Sequence, residues 1–134
     1  MMIEVFTDGA SKGSPGISGA GIYIKSQDNQ EAFSIPLAEM TNHEAEFFAV
    51  IEALKICLEK YPKEIISLQS DSQLVVQAIE KQFVKNKLYQ PLLEEIIEKT
   101  AHFPYVFAKW IPANQNAHAD RLAKQAILQQ ENKK

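Results

Sequence analysis

The chain has 134 residues, is 46% hydrophobic and carries a net charge of −3, which suits one compact domain with enough apolar residues for a core. Arg121 is the only arginine among 14 basic residues, so long-range attraction to nucleic acid is excluded and any such partner must be held by a local basic patch. The lone cysteine, Cys57, excludes a disulfide framework and reads as a buried thiol, and no apolar run is long enough for a membrane span. Nothing at the amino terminus resembles an export signal, so a cytoplasmic location is expected.

Residues 2–8 alternate, with Ile3, Val5 and Thr7 pointing one way and Glu4, Phe6 and Asp8 the other. That period of two predicts a strand ending on a carboxylate. All five glycines lie between positions 9 and 21. Residues 9–16 are therefore expected to form a loop whose backbone something can approach closely. Alone, Asp8-Gly9 is also ordinary turn chemistry. Residues 20–25 read as a second strand, 27–30 as a turn and 32–35 as a third strand, an antiparallel meander.

Thr41 and Glu44 stand at capping-box spacing and open a helix that runs to about Lys60 and stops before Pro62. Glu44, Glu52, Lys55 and Glu59 fall within about 80° of one another and mark its exposed stripe. Glu46 lies about 200° from Glu44, among Ala49, Val50, Ala53 and Cys57. An inward glutamate is costly unless paired, bonded or bound to a cation. The helix dipole explains an acid in the first turn, but not the face it occupies.

Residues 64–70 predict a fourth strand ending at Asp71, and a helix starts at Ser72-Gln73. An acid at a strand's carboxyl end is where open α/β sheets put ligands, and it is equally a good cap. Residues 81–87 break the helical pattern and gather Lys81, Lys85 and Lys87 around Phe83, either a solvated loop or a patch that tracks a phosphate backbone. A helix over 88–100 and a strand over 105–110 follow. Residues 111–116 read as a loop, and Asn116 can cap a final helix reaching about Gln130 with Asp120 in its first turn. The domain is expected to span 1–128, with 129–134 as a frayed polar tail.

Asp8, Glu46, Asp71 and Asp120 thus occupy similar settings, at strand ends or helix starts. If strands one and four lie parallel and adjacent, Asp8 and Asp71 meet at one sheet edge. Converging carboxylates repel and raise one another's proton affinity. Divalent ions relieve this, and oxygen-only ligands suit Mg²⁺ or Mn²⁺. Two such ions ~3.5–4 Å apart can activate water and stabilise the leaving oxygen in phosphodiester cleavage. Zinc is disfavoured by the single cysteine and three scattered histidines.

These residues carry a resemblance. Thr7-Asp8-Gly9-Ala10-Ser11, Thr41-Asn42-His43-Glu44-Ala45-Glu46, Ser70-Asp71-Ser72-Gln73 and the segment from Asn116 to Ala123 are similar, in order and spacing, to motifs of the ribonuclease H family, type 1. The resemblance covers nearly the whole chain. It implies an α/β fold with a mixed five-stranded sheet, order 3-2-1-4-5, flanked by helices. It implies cutting of the RNA strand of an RNA–DNA hybrid, leaving a 3′-hydroxyl and a 5′-phosphate, and the chain is expected to act as a monomer. Asp8, Glu46, Asp71 and Asp120 would be the metal-binding catalytic carboxylates, holding two Mg²⁺ or Mn²⁺ ions. Asn42 and Gln73 match residues that contact the hybrid's minor groove, and Thr41 matches one that holds a DNA phosphate. The backbone of Gly9, Ala10, Ser11 and Lys12 would approach ribose 2′-hydroxyls.

Two features depart from the family pattern. Many bacterial members carry a histidine in the loop before the last acid, and residues 111–115 contain none. His118 lies past that loop and reads as a surface residue. The basic handle is reduced to Lys81, Lys85 and Lys87 with Phe83 and Tyr89, which implies weaker hybrid binding. A nuclease therefore stands against a non-catalytic nucleic-acid-binding module of the same fold. A nucleotide-binding glycine loop is disfavoured, because Ser11-Lys12-Gly13-Ser14 lacks the Gly-Lys-Ser/Thr order.

Overall fold

The computed structural model describes residues 1–133. Its elements are β1 (Met2–Gly13), β2 (Gly16–Lys25), β3 (Gln30–Met40), α1 (Asn42–Lys60), β4 (Ile65–Ser70), α2 (Gln73–Lys81), α3 (Gln90–Thr100), β5 (Tyr105–Trp110) and α4 (Ala117–Glu131). The five strands form one sheet in the order β3-β2-β1-β4-β5, as the resemblance implies. The first three strands are antiparallel neighbours, whereas β4 runs parallel to both β1 and β5. No helix among the described residues is long and apolar enough to cross a membrane.

The expected glycine loop is instead two strand arms. β1 continues through Gly13 and β2 begins at Gly16, with Asp8 opposite Gly21 and Gly13 opposite Gly16. Cross-strand pairing, invisible in local composition, overrides the poor strand propensity of glycine. β3 likewise runs well past residues 32–35. Pro36 is tolerated inside it because β3 is an edge strand.

Helices pack on both faces of the sheet. Successive strand residues point to opposite faces, and α1 packs over the face of Ile3, Val5, Thr7 and Gly9, where Phe47, Val50, Ile51, Leu54 and Cys57 complete a buried core with Ile66 and Ile96. α4 packs on the opposite face, over β2. Both contacts require glycine. A Cβ on Gly9 would overlap the Ala45 carbonyl, and one on Gly21 the Ala119 carbonyl and the Ala123 amide.

The helix boundaries follow from caps. Thr41 and Glu44 form the reciprocal capping box, and the Ser72 hydroxyl accepts from the Val75 amide at 3.3 Å. α2 stops at Gln82, a left-handed residue (φ 54°). Residues 83–89 form a connection, so α3 starts at Gln90 rather than Leu88, with Pro91 in its first turn.

The polar tail expected from residue 129 is helical as far as Glu131. Glu131 pairs with Lys12 at 2.6 Å and Gln130 bonds the Ser18 carbonyl, so tertiary contacts hold this end. Lys134 lies outside the described residues. Gly21→Ala is expected to destabilise the fold by about 3 kcal/mol, because the added methyl meets backbone that cannot swing aside. Urea denaturation measures this, and an unchanged midpoint would show that α4 is not seated on Gly21.

Candidate active site

β1 and β4 are last paired at Phe6 and Gln69. Asp8 and Asp71 each stand two residues beyond that pair, so the parallel register carries them side by side. The seating of Ala45 on Gly9 brings the next residue, Glu46, to the same point from the α1 side. One carboxylate oxygen from each of Asp8, Glu46 and Asp71 lies within 4.8 Å of the other two. Asp120 follows Ala119, which is seated on Gly21 on the opposite face. Its side chain is 47% exposed and pairs with Lys124 at 3.0 Å. It stands at the rim of the trio, close enough to Asp8 for a hydrogen bond.

Burial and like charge set the electrostatics. Asp8 is pushed from its ordinary 3.8 up to about 8, first by burial and then by the charges of Asp71, Asp120 and Glu46. Burial also raises Glu46, opposed by hydrogen bonds from Ser72 and His43. His43 Nδ1 stands 3.4 Å from Glu46 Oε2. The donors are all carboxylate oxygens, the set that fits a hard divalent cation such as Mg²⁺ or Mn²⁺ and not zinc.

The candidate substrate residues fare differently. Asn42 and Gln73 are exposed first residues of α1 and α2, four residues before Glu46 and two after Asp71 in the chain. The Thr41 hydroxyl is taken up in the capping box, donating to Glu44 Oε1 at 3.0 Å. Gly9 is covered by α1, Ala10 is half-buried, and the Ser11 hydroxyl lies 2.7 Å from the carbonyls of both Gly13 and Met40, to one of which it donates. Lys12 is engaged by Glu131. Lys85 and Lys87 are exposed in the connection between α2 and α3. That connection is tied to the first turns of α1 by Tyr89, which stacks on Phe47 at 5.2 Å and meets the edge of His43.

Several contacts around the acids escaped the sequence. Trp110 Nε1 donates to the Asp71 carbonyl at 3.2 Å and so holds the backbone of that acid. His43 stands three residues before Glu46, one turn away, which was the only available sign of their contact. Asn116 precedes α4 as expected, but its side chain makes no capping bond and turns towards Thr7 and Asp71. His118 is on the surface, stacked on Tyr23 at 4.3 Å with Arg121 against its Nδ1 at 3.1 Å.

A family model described as RNase H matches residues 1–128. The chain belongs to the RNase H family. Its members are metal-dependent nucleases, and the acidic trio is consistent with that chemistry. The chain is 42% identical over 127 residues to EbsB of Enterococcus faecalis, which carries the name of a hydrolase, with 94% of each chain covered. It is 34% identical over 137 residues to ribonuclease HI of Campylobacter jejuni, covering 94% of this chain and 91% of that one. Among solved structures, RNase H1 of the archaeon Halobacterium salinarum is similar with a TM-score of 0.88 at 27% identity, covering 95% of this chain and 98% of that one. LC11-RNase H1, isolated from compost and solved in complex with an RNA/DNA hybrid, gives 0.87 at 28% identity, covering 95% and 97%.

The raised Asp8 has a consequence for stability. The unfolded chain releases this proton near 3.8, whereas the folded protein retains it up to about 8. Between those values the folded state binds more protons, so the stability of metal-free protein falls as pH rises across the window. Asp8→Asn is expected to leave the Tm nearly unchanged at pH 4 and to raise it by several degrees at pH 8. Thermal scans in chelator check this, and a lower Tm at pH 8 would refute it.

Proposed function

We propose that this RNase H is an endonuclease that hydrolyses the RNA strand of RNA–DNA hybrids, with Asp8, Glu46, Asp71 and Asp120 holding two Mg²⁺ or Mn²⁺ ions. The observation that carries the reading is the convergence of three carboxylates within 4.8 Å, in a chain that matches the family along nearly its whole length. The similarity to LC11-RNase H1 supports a hybrid as the substrate.

Asp8 is the central ligand, since it faces each of the other three acids. Glu46 approaches from α1, held by His43 and Ser72. Asp71 enters from the end of β4, and Asp120 completes the set from the rim, its charge tempered by Lys124. When bound, the ions supply the activated water and the neutralisation of the leaving oxygen that phosphodiester hydrolysis needs.

The remaining groups bind and orient. Asn42 and Gln73 offer carboxamides beside the acids, suited to base and sugar edges in a minor groove. Beyond Phe6 the β4 side of β1 has no paired strand. The Thr7 carbonyl faces that side, because Asn116 reaches it. By the alternation of a strand, the peptide groups of Gly9 and Ser11 face the same way, towards the side from which ribose hydroxyls would approach. Thr41 and Ala10 border this surface. Lys12 is partly neutralised by Glu131, so Lys85 and Lys87 supply the backbone-tracking charge.

A labelled hybrid incubated with Mg²⁺ or Mn²⁺ separates this enzyme from a module that binds without cutting. Cleavage confined to the RNA strand is expected, and none at low salt and high enzyme would refute the reading. Asp8→Asn, Glu46→Gln and Asp71→Asn are each expected to lower the rate by about a thousandfold, the scale of several kcal/mol of lost charge stabilisation. Removing Lys85 and Lys87 together is expected to raise KM with little change in kcat. It should also reduce the slope of log KM against log salt by about 1 to 2, one increment per phosphate contact.

A further inference from the structure

Three helices of this chain begin with a residue suited to capping. Thr41 accepts the Glu44 amide and Ser72 accepts the Val75 amide, as such residues ordinarily do. Asn116 does not cap. It is 1% exposed, and its Nδ2 donates to the Thr7 carbonyl at 2.9 Å and to Asp71 Oδ1 at 3.3 Å. Both partners are acceptors, so the amide nitrogen must face them, and the orientation of the carboxamide follows from its contacts. Its Oδ1 is buried without a partner, alone among the buried side-chain polar atoms described.

That arrangement runs against the local needs of the helix. A side chain kept for capping would turn Oδ1 to the free amides of α4 and satisfy it there. Here the acceptor is left unpaired so that both amide hydrogens reach the acidic centre. The same residue is fixed to α4 through its backbone, since the Asp120 amide donates to the Asn116 carbonyl at 3.0 Å. One residue therefore connects the middle of β1 beside Asp8, the carboxylate of Asp71, and the first turn that carries Asp120.

We propose that Asn116 is a positioning residue of the acidic centre, whose carboxamide fixes the Asp71 carboxylate and the Thr7–Asp8 segment of β1 against the start of α4. The inference rests on the reading of these acids as metal ligands. Asn116 itself touches neither ions nor hybrid, because it is enclosed. Its contribution is preorganisation: Asp71 is held in one orientation despite the repulsion of its neighbours. Aspartate cannot replace it, having no hydrogen to donate and adding another negative charge. Serine can restore one of the two bonds.

The test uses Asn116→Ala and Asn116→Ser, with folded protein verified by circular dichroism. Calorimetric titration with Mn²⁺ alone is expected to show about tenfold weaker binding in Asn116→Ala, the ordinary effect of losing an outer-shell partner. Partial recovery is expected in Asn116→Ser. On a hybrid substrate, kcat is expected to fall by about 10- to 100-fold, while KM stays within about twofold because Asn116 is enclosed. In an Asp71→Asn background, Asn116→Ala is expected to weaken Mn²⁺ binding by much less than in the wild-type protein, since only the Thr7 contact is left to lose. A Tm loss with Mn²⁺ affinity and kcat unchanged would reduce Asn116 to a structural role and overturn the proposal. So would a further tenfold loss in the Asp71→Asn background, or a change in KM alone. The ion titration needs no hybrid, so it stands or fails separately from hybrid cleavage.

Discussion

The seating of two helix backbones on two glycines is the constraint from which the rest of this molecule follows. Gly9 admits Ala45 from one face of the sheet, and Gly21 admits Ala119 from the other. Asp8 is the chain neighbour of the first glycine and the cross-strand partner of the second. Each seated alanine is followed directly by an acid, Glu46 or Asp120. The close approach that places the helices therefore also delivers the carboxylates, with a reach that no flexible side chain has to provide. Any side chain at either glycine would separate sheet from helix by more than an ångström, and the carboxylate geometry would go with it.

The same closeness makes the site electrostatically costly. Asp8 is buried among three acids, and its proton affinity rises steeply in response. The nearest relief within the chain is thin: His43 and Ser72 on Glu46, Asn116 and Trp110 on Asp71, Lys124 on the outer side of Asp120. These contacts orient the acids more than they neutralise them. The fold tolerates the cluster because the sheet beneath it is tightly filled, with Ile3, Val5, Ile22, Phe47, Leu54 and Ile66 almost entirely excluded from water. Burying each such side chain contributes about 1.5–3 kcal/mol, so a few of them offset a strained functional site.

Local pattern was informative where the physics is local. The period-two run to Asp8, the capping box at Thr41 and the inward angle of Glu46 all depend on neighbours within a few residues, and the structure agrees with each. The glycines were misread because their use is non-local. They look like a loop in the sequence, yet Gly9, Gly19 and Gly21 are strand positions whose missing Cβ atoms matter to helices far away in the chain, and only Gly13 and Gly16 serve the tight turn between β1 and β2. Lys12 reads as a free cation until α4 brings Glu131 to it across 119 residues of separation. Asn116 had an adequate local explanation as a cap. Only the folded chain shows that its hydrogens are directed at Thr7 and Asp71 instead.

The charge balance also bears on how such a protein meets a polyanion. A net charge of −3 gives no general attraction, and the acids, with Asp8 buried and Asp120 at the exposed rim, gather negative charge at one place. Lys85 and Lys87 are displaced in sequence from the acids, and Lys12 and Lys124 each already face a carboxylate. On the reading proposed above, the bare site repels the scissile phosphate and the cation-loaded site attracts it. Cation binding and hybrid binding are then thermodynamically linked, each strengthening the other by the same factor. A chain with a full basic handle can hold its substrate before the acids are neutralised. In this chain the order matters more, because the centre that performs the chemistry must also supply much of the attraction.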